Sequence, residues 1–153
     1  MLEQYYSLEK ETIYTLGEFS ILWCYFEQSI FNSEANPSKM LNWAKRQEST
    51  SELITLCENI KEKAIIYLND LDETTIITRI YSENRPPNNE HRKLISDFLE
   101  SNTDNPLLGC SLFILRIRNN MFHGVKDIFT LNDQREMFMG INAFLQFILI
   151  KIS

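Results

Sequence analysis

Apolar side chains recur at helical spacing along most of this 153-residue chain. Between residues 7 and 31 they fall at positions i, i+3, i+4, i+7 and i+11, the pattern of one long helix with a single apolar stripe. That stripe consists of Phe19, Leu22, Trp23, Phe26 and Ile30. The same spacing predicts further helices over residues 37–47, 49–68, 89–99, 107–117 and from 132 onward. The chain is therefore predicted to be all-α.

Residues that favour helix starts precede several of these segments. Asn36 and Pro37 match the cap and the first position of a helix, where Pro fixes a helical φ. Ser49 and Glu52 have the spacing of a capping box. Residues 104–106, Asp-Asn-Pro, predict a turn that begins the next helix.

One segment is ambiguous, and one is a firm break. Residues 72–82 fit a short helix, but the β-branched cluster at 74–80 also fits a strand. Residues 85–88, Arg-Pro-Pro-Asn, interrupt regular structure. No period of 20 to 50 residues recurs. We therefore expect residues 1–153 to form a single domain, a bundle of about five to seven helices with an up-down core and a long first and last helix.

Composition narrows the classes of protein that fit. A net charge of −6 argues against a chain that coats nucleic acid non-specifically. Three widely spaced cysteines indicate reduced, mostly buried thiols in a cytoplasmic protein. The N-terminus lacks the pattern of a signal peptide, and residues 138–150 are too short to span a bilayer, so we expect no membrane association. Two histidines and scattered cysteines offer no metal-ligand spacing, so we expect neither metal nor cofactor.

The chemically most informative stretch is 118–124, Arg-Asn-Asn-Met-Phe-His-Gly. It follows the apolar run 107–117, which is predicted to be a core helix. Arg118 keeps its charge in any environment and can bind phosphate through two parallel hydrogen bonds. His123 can exchange a proton near neutral pH. Together these two side chains suit attack on a phosphodiester.

This stretch resembles the signature of the HEPN superfamily, an Arg followed four to six residues later by a His, often with a polar residue after the Arg. The matching residues are Arg118, Asn119, His123 and Gly124. The motif also falls late in the chain, before one last long helix, as in that family, and a long first helix with Trp23 and Glu27 is similar to what such domains have. Arg85 and His91 fit the loosest spacing, but two prolines separate them and no core helix precedes them.

The resemblance implies a homodimer in which two motifs face each other across one composite cleft. It also implies a metal-independent endoribonuclease in which the ribose 2′-OH attacks the adjacent phosphorus, leaving a 2′,3′-cyclic phosphate. His123 would act as general acid–base, Arg118 would stabilise charge on the phosphoryl oxygens, and Asn119 would position the phosphate or His123. Family analogy further implies prokaryotic antiviral defence or a toxin–antitoxin pair, with an antitoxin protein as a second partner.

Other side chains have two interpretations each. Glu27 either pairs with some arginine at the core boundary or orients the arginine of the motif. Arg116, Lys126 and Arg135 either widen a basic, substrate-binding patch or are solvated surface charges. Tyr14 and Tyr25 are expected in the core or at an interface rather than as base-stacking platforms.

The sequence departs from the pattern of some HEPN proteins at one position. Some HEPN proteins carry a Tyr two residues after the His, where a nucleotidyltransferase modifies it; here that position is Val125, so this regulation is not expected.

The sequence also fits two alternative functions. The first alternative function is a non-catalytic HEPN dimer that binds RNA or a protein partner. The second is a helical interaction subunit without nucleic-acid binding, which the negative net charge favours.

Overall fold

The computed structural model describes residues 3, 7–67, 89–122 and 130–153. These residues contain six α-helices of defined length and no strand, which confirms the predicted all-α bundle. The helices are α1 Lys10–Phe31, α2 Pro37–Lys45, α3 Ser51–Tyr67, α4 Asn89–Leu99, α5 Pro106–Phe122 and α6 Arg135–Ile152, with a 3₁₀ turn, Asn132–Gln134, before α6. The ambiguous segment 72–82 lies outside the described residues.

The two longest helices, α1 and α6, pack against each other along their length. Arg135 at the start of α6 binds Glu9 just before α1, with 2.6 Å between Nη1 and Oε2. Further along, the Asn142 side-chain amide donates to the Thr15 carbonyl oxygen at 3.1 Å. Because residue numbers rise together along both helices, α1 and α6 run parallel. Neither they nor any other described helix is long and apolar enough to cross a membrane.

Helix α5 is the centre of the core and packs against α2, α3 and α4. Its buried apolar residues are Leu107, Cys110, Leu112, Phe113, Ile114, Leu115 and Ile117. The predicted core helix 107–117 is thus confirmed. Helix α4 approaches it so closely at Gly109 that a side chain there would collide with the Leu94 carbonyl oxygen.

Side-chain caps fix where these helices begin. Asn36 accepts a hydrogen bond from the Lys39 amide at 2.9 Å, as the Asn36-Pro37 pair predicts. The predicted capping box at Ser49 is wrong. Thr50 is the residue that caps α3, because its Oγ1 accepts from the Leu53 amide at 3.3 Å. Ser49 instead contacts Asn105, before α5, at 3.3 Å.

The turn after α1 brings α2 back against the end of the first helix. Asn32 and Ser33 have left-handed backbone conformations, with φ of 51° and 70°. On α2, Trp43 packs edge-on against Phe26 and Phe31, with ring centroids 5.4 Å and 6.4 Å apart. Such aromatic contacts stabilise the turn beyond the area they bury. They also hold the loop after α1 close to Glu27.

Candidate functional site

Arg118 lies in the last turns of α5 and packs over an aromatic ring of α1. Its guanidinium carbon is 5.7 Å from the centroid of the Trp23 ring. A guanidinium at this distance is attracted by the negative face of the indole. Trp23 is almost fully buried, so the ring is a fixed surface beneath the cation.

Glu27 lies beside the same guanidinium. Its Oε1 is 3.9 Å from Arg118 Nη2, and the two side chains are 18% and 26% exposed. That separation is longer than a hydrogen bond, so the contact is an ion pair. Because both groups are largely sheltered from water, salt screens their attraction less than it would at an open surface. Trp23 and Glu27 are four residues apart on α1 and so share one side of the helix, which is why a single cation meets both.

Glu27 also holds the loop that follows α1. Its Oε2 accepts a hydrogen bond from the Ala35 amide at 3.2 Å. Its main-chain carbonyl accepts from the amides of both Asn32 and Ser33. One carboxylate therefore orients the arginine with one oxygen and stabilises the loop with the other.

Asn119 completes the surroundings of the arginine. Its Oδ1 accepts a hydrogen bond from Arg118 Nη1 at 3.0 Å. The guanidinium is thus bounded by an indole ring, a carboxylate and an amide oxygen. About a quarter of the Arg118 side chain remains exposed, which leaves it open to a ligand from solvent.

The structure brings some of the predicted site residues together and does not describe others. Arg118, Asn119 and Glu27 form one cluster. Arg116 is half-buried two residues earlier on α5, and helical positions two apart point to different sides. His123 and Lys126 lie outside the described residues, as does Val125.

The contact between Arg118 and Trp23 was not predicted from the sequence. The signal for it is the four-residue spacing of Trp23 and Glu27 on a long helix, which puts an aromatic face and a carboxylate side by side. Such a pair fits a guanidinium. Among the residues that the structure describes, no three histidine, cysteine or acidic side chains gather as a metal ion requires.

Two of the cysteines meet in the core, away from this cluster. Cys57 on α3 and Cys110 on α5 are both fully buried and neighbour each other. Burial, and then the neighbouring Cys57, raise the pKa of the Cys110 thiol well above its ordinary value. Cys24 is exposed on α1.

No protein-family model, curated protein or solved structure matches this chain.

Proposed function

We propose that this protein is a metal-independent endoribonuclease of the HEPN type. The observation that carries the proposal is the placement of Arg118, a sheltered but accessible cation held five positions before His123. The indole, the carboxylate and the amide around it restrict its orientation before any ligand binds. Preorganised charge of this kind is the largest single source of catalysis in many enzymes.

The proposed reaction needs only proton transfer and charge stabilisation. A base takes the proton of the ribose 2′-OH, the oxygen forms a bond to phosphorus, and the bond from phosphorus to the 5′-oxygen breaks. That oxygen receives a proton, so the products are a 2′,3′-cyclic phosphate and a 5′-OH. His123 serves as acid or base, and Arg118 binds the phosphoryl oxygens. DNA lacks the 2′-OH, so only RNA is cleaved.

Two copies of the chain would form the composite cleft, and an antitoxin protein would restrain the activity in the cell. Both statements follow from the family analogy alone. In a composite cleft, the histidine of one copy would act as base and that of the other as acid. Expression of the wild-type chain without a partner should then inhibit growth.

Paired substitutions test the catalytic assignment. We expect His123→Ala to lower RNA cleavage at least about 100-fold, because general acid–base catalysis contributes that much. His91→Ala removes the only other histidine and should leave the rate unchanged.

Arg118→Ala should also lower the rate at least about 100-fold. Its matched control is Arg135→Ala. Arg135 is similarly sheltered and also pairs with a glutamate, but that glutamate is Glu9, at the other end of α1 from Glu27. Circular dichroism must show that all four variants are folded, and activity that survives in both His123→Ala and Arg118→Ala would refute the assignment.

A second candidate function is a non-catalytic module that binds RNA. The contact between Arg118 and Glu27 favours it, because an arginine already paired with a carboxylate can serve structure alone. This candidate predicts RNA binding that weakens in Arg118→Ala, most strongly at low salt, and no cyclic phosphate product.

A further inference from the structure

Large apolar side chains are exposed on one pair of helices. Six such side chains are 51% to 73% exposed, and within the described residues all of them belong to α1 or α6. They are Tyr14, Ile21, Tyr25, Met139, Ile150 and Ile152. Concentrated exposure of this kind marks an interaction surface, whereas single scattered residues do not.

On α1 the exposed residues form one stripe, on α6 Met139 and Ile150 form another, and Ile152 lines the groove between the two helices. Tyr14, Ile21 and Tyr25 are spaced by seven and four positions, and Met139 and Ile150 by eleven, which is one side of a helix in each case. Where the parallel helices meet, residues of both, including Tyr25 and Leu149, line a groove of about 430 Å³. We call this two-helix surface the α1–α6 face.

Gly17 lies in the middle of the α1 stripe, between Tyr14 and Ile21. A Cβ added there would meet nothing within 4 Å. Glycine weakens a helix relative to alanine, and nothing inside this protomer requires its small size here. A glycine on an exposed apolar stripe does allow a second backbone to come close. The occupant of the face is therefore expected to be another helix.

We infer that the α1–α6 face is a two-fold interface between two copies of this chain. In an antiparallel pairing of two α1 helices centred between Phe19 and Ser20, Tyr14 lies opposite Tyr25 of the second copy. Ile21 then lies opposite Glu18, so no two carboxylates of this stripe meet. A two-fold interface requires this kind of self-complementarity.

The exposed residues of α6 do not pair with each other about the same axis. Pairing Met139 with Ile150 of the second copy places the centre of α6 between residues 144 and 145. The hydrogen bond from Gln146 to Glu18 sets α6 residues beside α1 residues 128 positions earlier. The two centres therefore differ by three residues, about 4.5 Å at 1.5 Å per residue, so the pairing of the two α1 helices alone sets the register of the interface.

The exposed area and the lack of basic residues at the centre of the face favour a second copy as the occupant. A tyrosine carries about 150–250 Å² of surface, so six large side chains supply much of the roughly 800 Å² per partner that a stable dimer buries. The central carboxylate, Glu18, already accepts a hydrogen bond from Gln146 at 3.3 Å. A face without basic residues at its centre does not suit RNA.

This interface is separate from the candidate site. Trp23 is nine positions after Tyr14, about 180° around α1, so the residues that hold Arg118 lie on the opposite side of the helix. Two copies joined through the α1–α6 face keep their Arg118 side chains apart. A composite cleft would need a second contact between copies, and the chain would then form a tetramer if the two two-fold axes cross at right angles.

Sedimentation equilibrium with a charge-reversal pair tests the interface. Ile21→Glu places a carboxylate opposite Glu18 and should raise the dissociation constant at least about 30-fold, the effect of losing a central anchor. At a protein concentration between the two dissociation constants, the particle mass should fall towards half that of the wild type, whether the wild type is a dimer or a tetramer. Adding Glu18→Lys to Ile21→Glu should restore the wild-type mass. Asn42→Glu, an equal charge change on exposed α2, should leave the mass unchanged.

Three results would overturn the inference: a monomeric wild type, an Ile21→Glu variant of wild-type mass, or a halved mass that Glu18→Lys does not restore. Circular dichroism checks that each variant is folded, as expected for substitutions at exposed positions. Arg118→Ala should change RNA cleavage without disrupting this interface, so the outcome for the interface and the outcome for the nuclease are read separately.

Discussion

Glu27 meets Arg118 with one carboxylate oxygen, at 3.9 Å, while its other oxygen accepts the Ala35 amide at 3.2 Å. The first contact joins α1 to the end of α5, and the second fixes the loop between α1 and α2. The two roles are separable by substitution, because an amide oxygen can accept the hydrogen bond but cannot form the ion pair.

Replacing Glu27 by Gln and by Ala should therefore have unequal effects. Glu27→Gln loses only the ion pair, and we expect the free energy of unfolding to fall by less than about 1 kcal/mol. Glu27→Ala also leaves the Ala35 amide without its acceptor, which should lower it by about 1–3 kcal/mol. Urea denaturation measures both values. Equal losses in the two variants would mean that the hydrogen bond to Ala35 contributes nothing.

Asn132 caps α1 from a distant part of the chain. Its Oδ1 accepts from the Glu9 amide at 2.9 Å and the Thr12 hydroxyl at 2.8 Å, and Glu9 itself provides no cap. We expect Asn132→Ala to lower the free energy of unfolding by about 1–2 kcal/mol. Asp133→Ala, at the exposed neighbouring position, should change it by less than about 0.5 kcal/mol. A thermal-unfolding comparison in which both variants match the wild type would contradict this capping role.

Two glycines should respond to alanine in opposite directions. Gly109→Ala places a methyl group against the Leu94 backbone and should lower the free energy of unfolding by about 1–3 kcal/mol. Gly17→Ala meets open space within the protomer and should raise it by about 0.5–1 kcal/mol. Both changes are best measured in the Ile21→Glu background, where association does not contribute. A stabilised Gly109→Ala variant would show that α4 and α5 are not in close contact.

The raised pKa of Cys110 makes the free energy of unfolding depend on pH in the alkaline range. In the unfolded chain the thiol ionises near pH 9, while the buried thiol stays neutral to higher pH. The unfolded state therefore binds fewer protons above that pH, and the free energy of unfolding should fall as pH rises past about 9. Cys110→Ala should reduce this fall, and Cys24→Ala, at an exposed position, should not. Denaturation between pH 7 and about 10.5 measures the slope, and identical slopes in all three proteins would contradict the assignment.

Much of the fold follows from local spacing. The apolar stripe of α1 and the run that becomes α5 could be predicted because burial repeats with the helical period. The parallel arrangement of α1 and α6 could not, because periodicity says which side of a helix is apolar and not which neighbour covers it. The cap of α3 was misplaced for a related reason. Ser49 and Thr50 are both good caps, and the contact of Ser49 with Asn105, distant in sequence, leaves the capping role to Thr50.

The candidate site could be predicted only in part. Arg118 and Asn119 were identified from the motif, and Glu27 was weighed as the acid that orients the arginine. The closeness of Glu27 to Arg118 depends on how α1 packs near the end of α5, which no local pattern encodes. Tyr14 and Tyr25 were expected in the core or at an interface, and their exposure excludes the core.

The most direct test of the nuclease proposal is mass spectrometry of RNA ends after incubation with the wild-type protein in EDTA. We predict 2′,3′-cyclic phosphate and 5′-OH ends from a total RNA pool, and none with His123→Ala. A substrate with 2′-deoxyribose at the cleaved position should remain intact. A folded, assembled wild-type protein that yields no cyclic phosphate ends, or that cleaves the deoxy-substituted substrate equally well, would contradict the proposal.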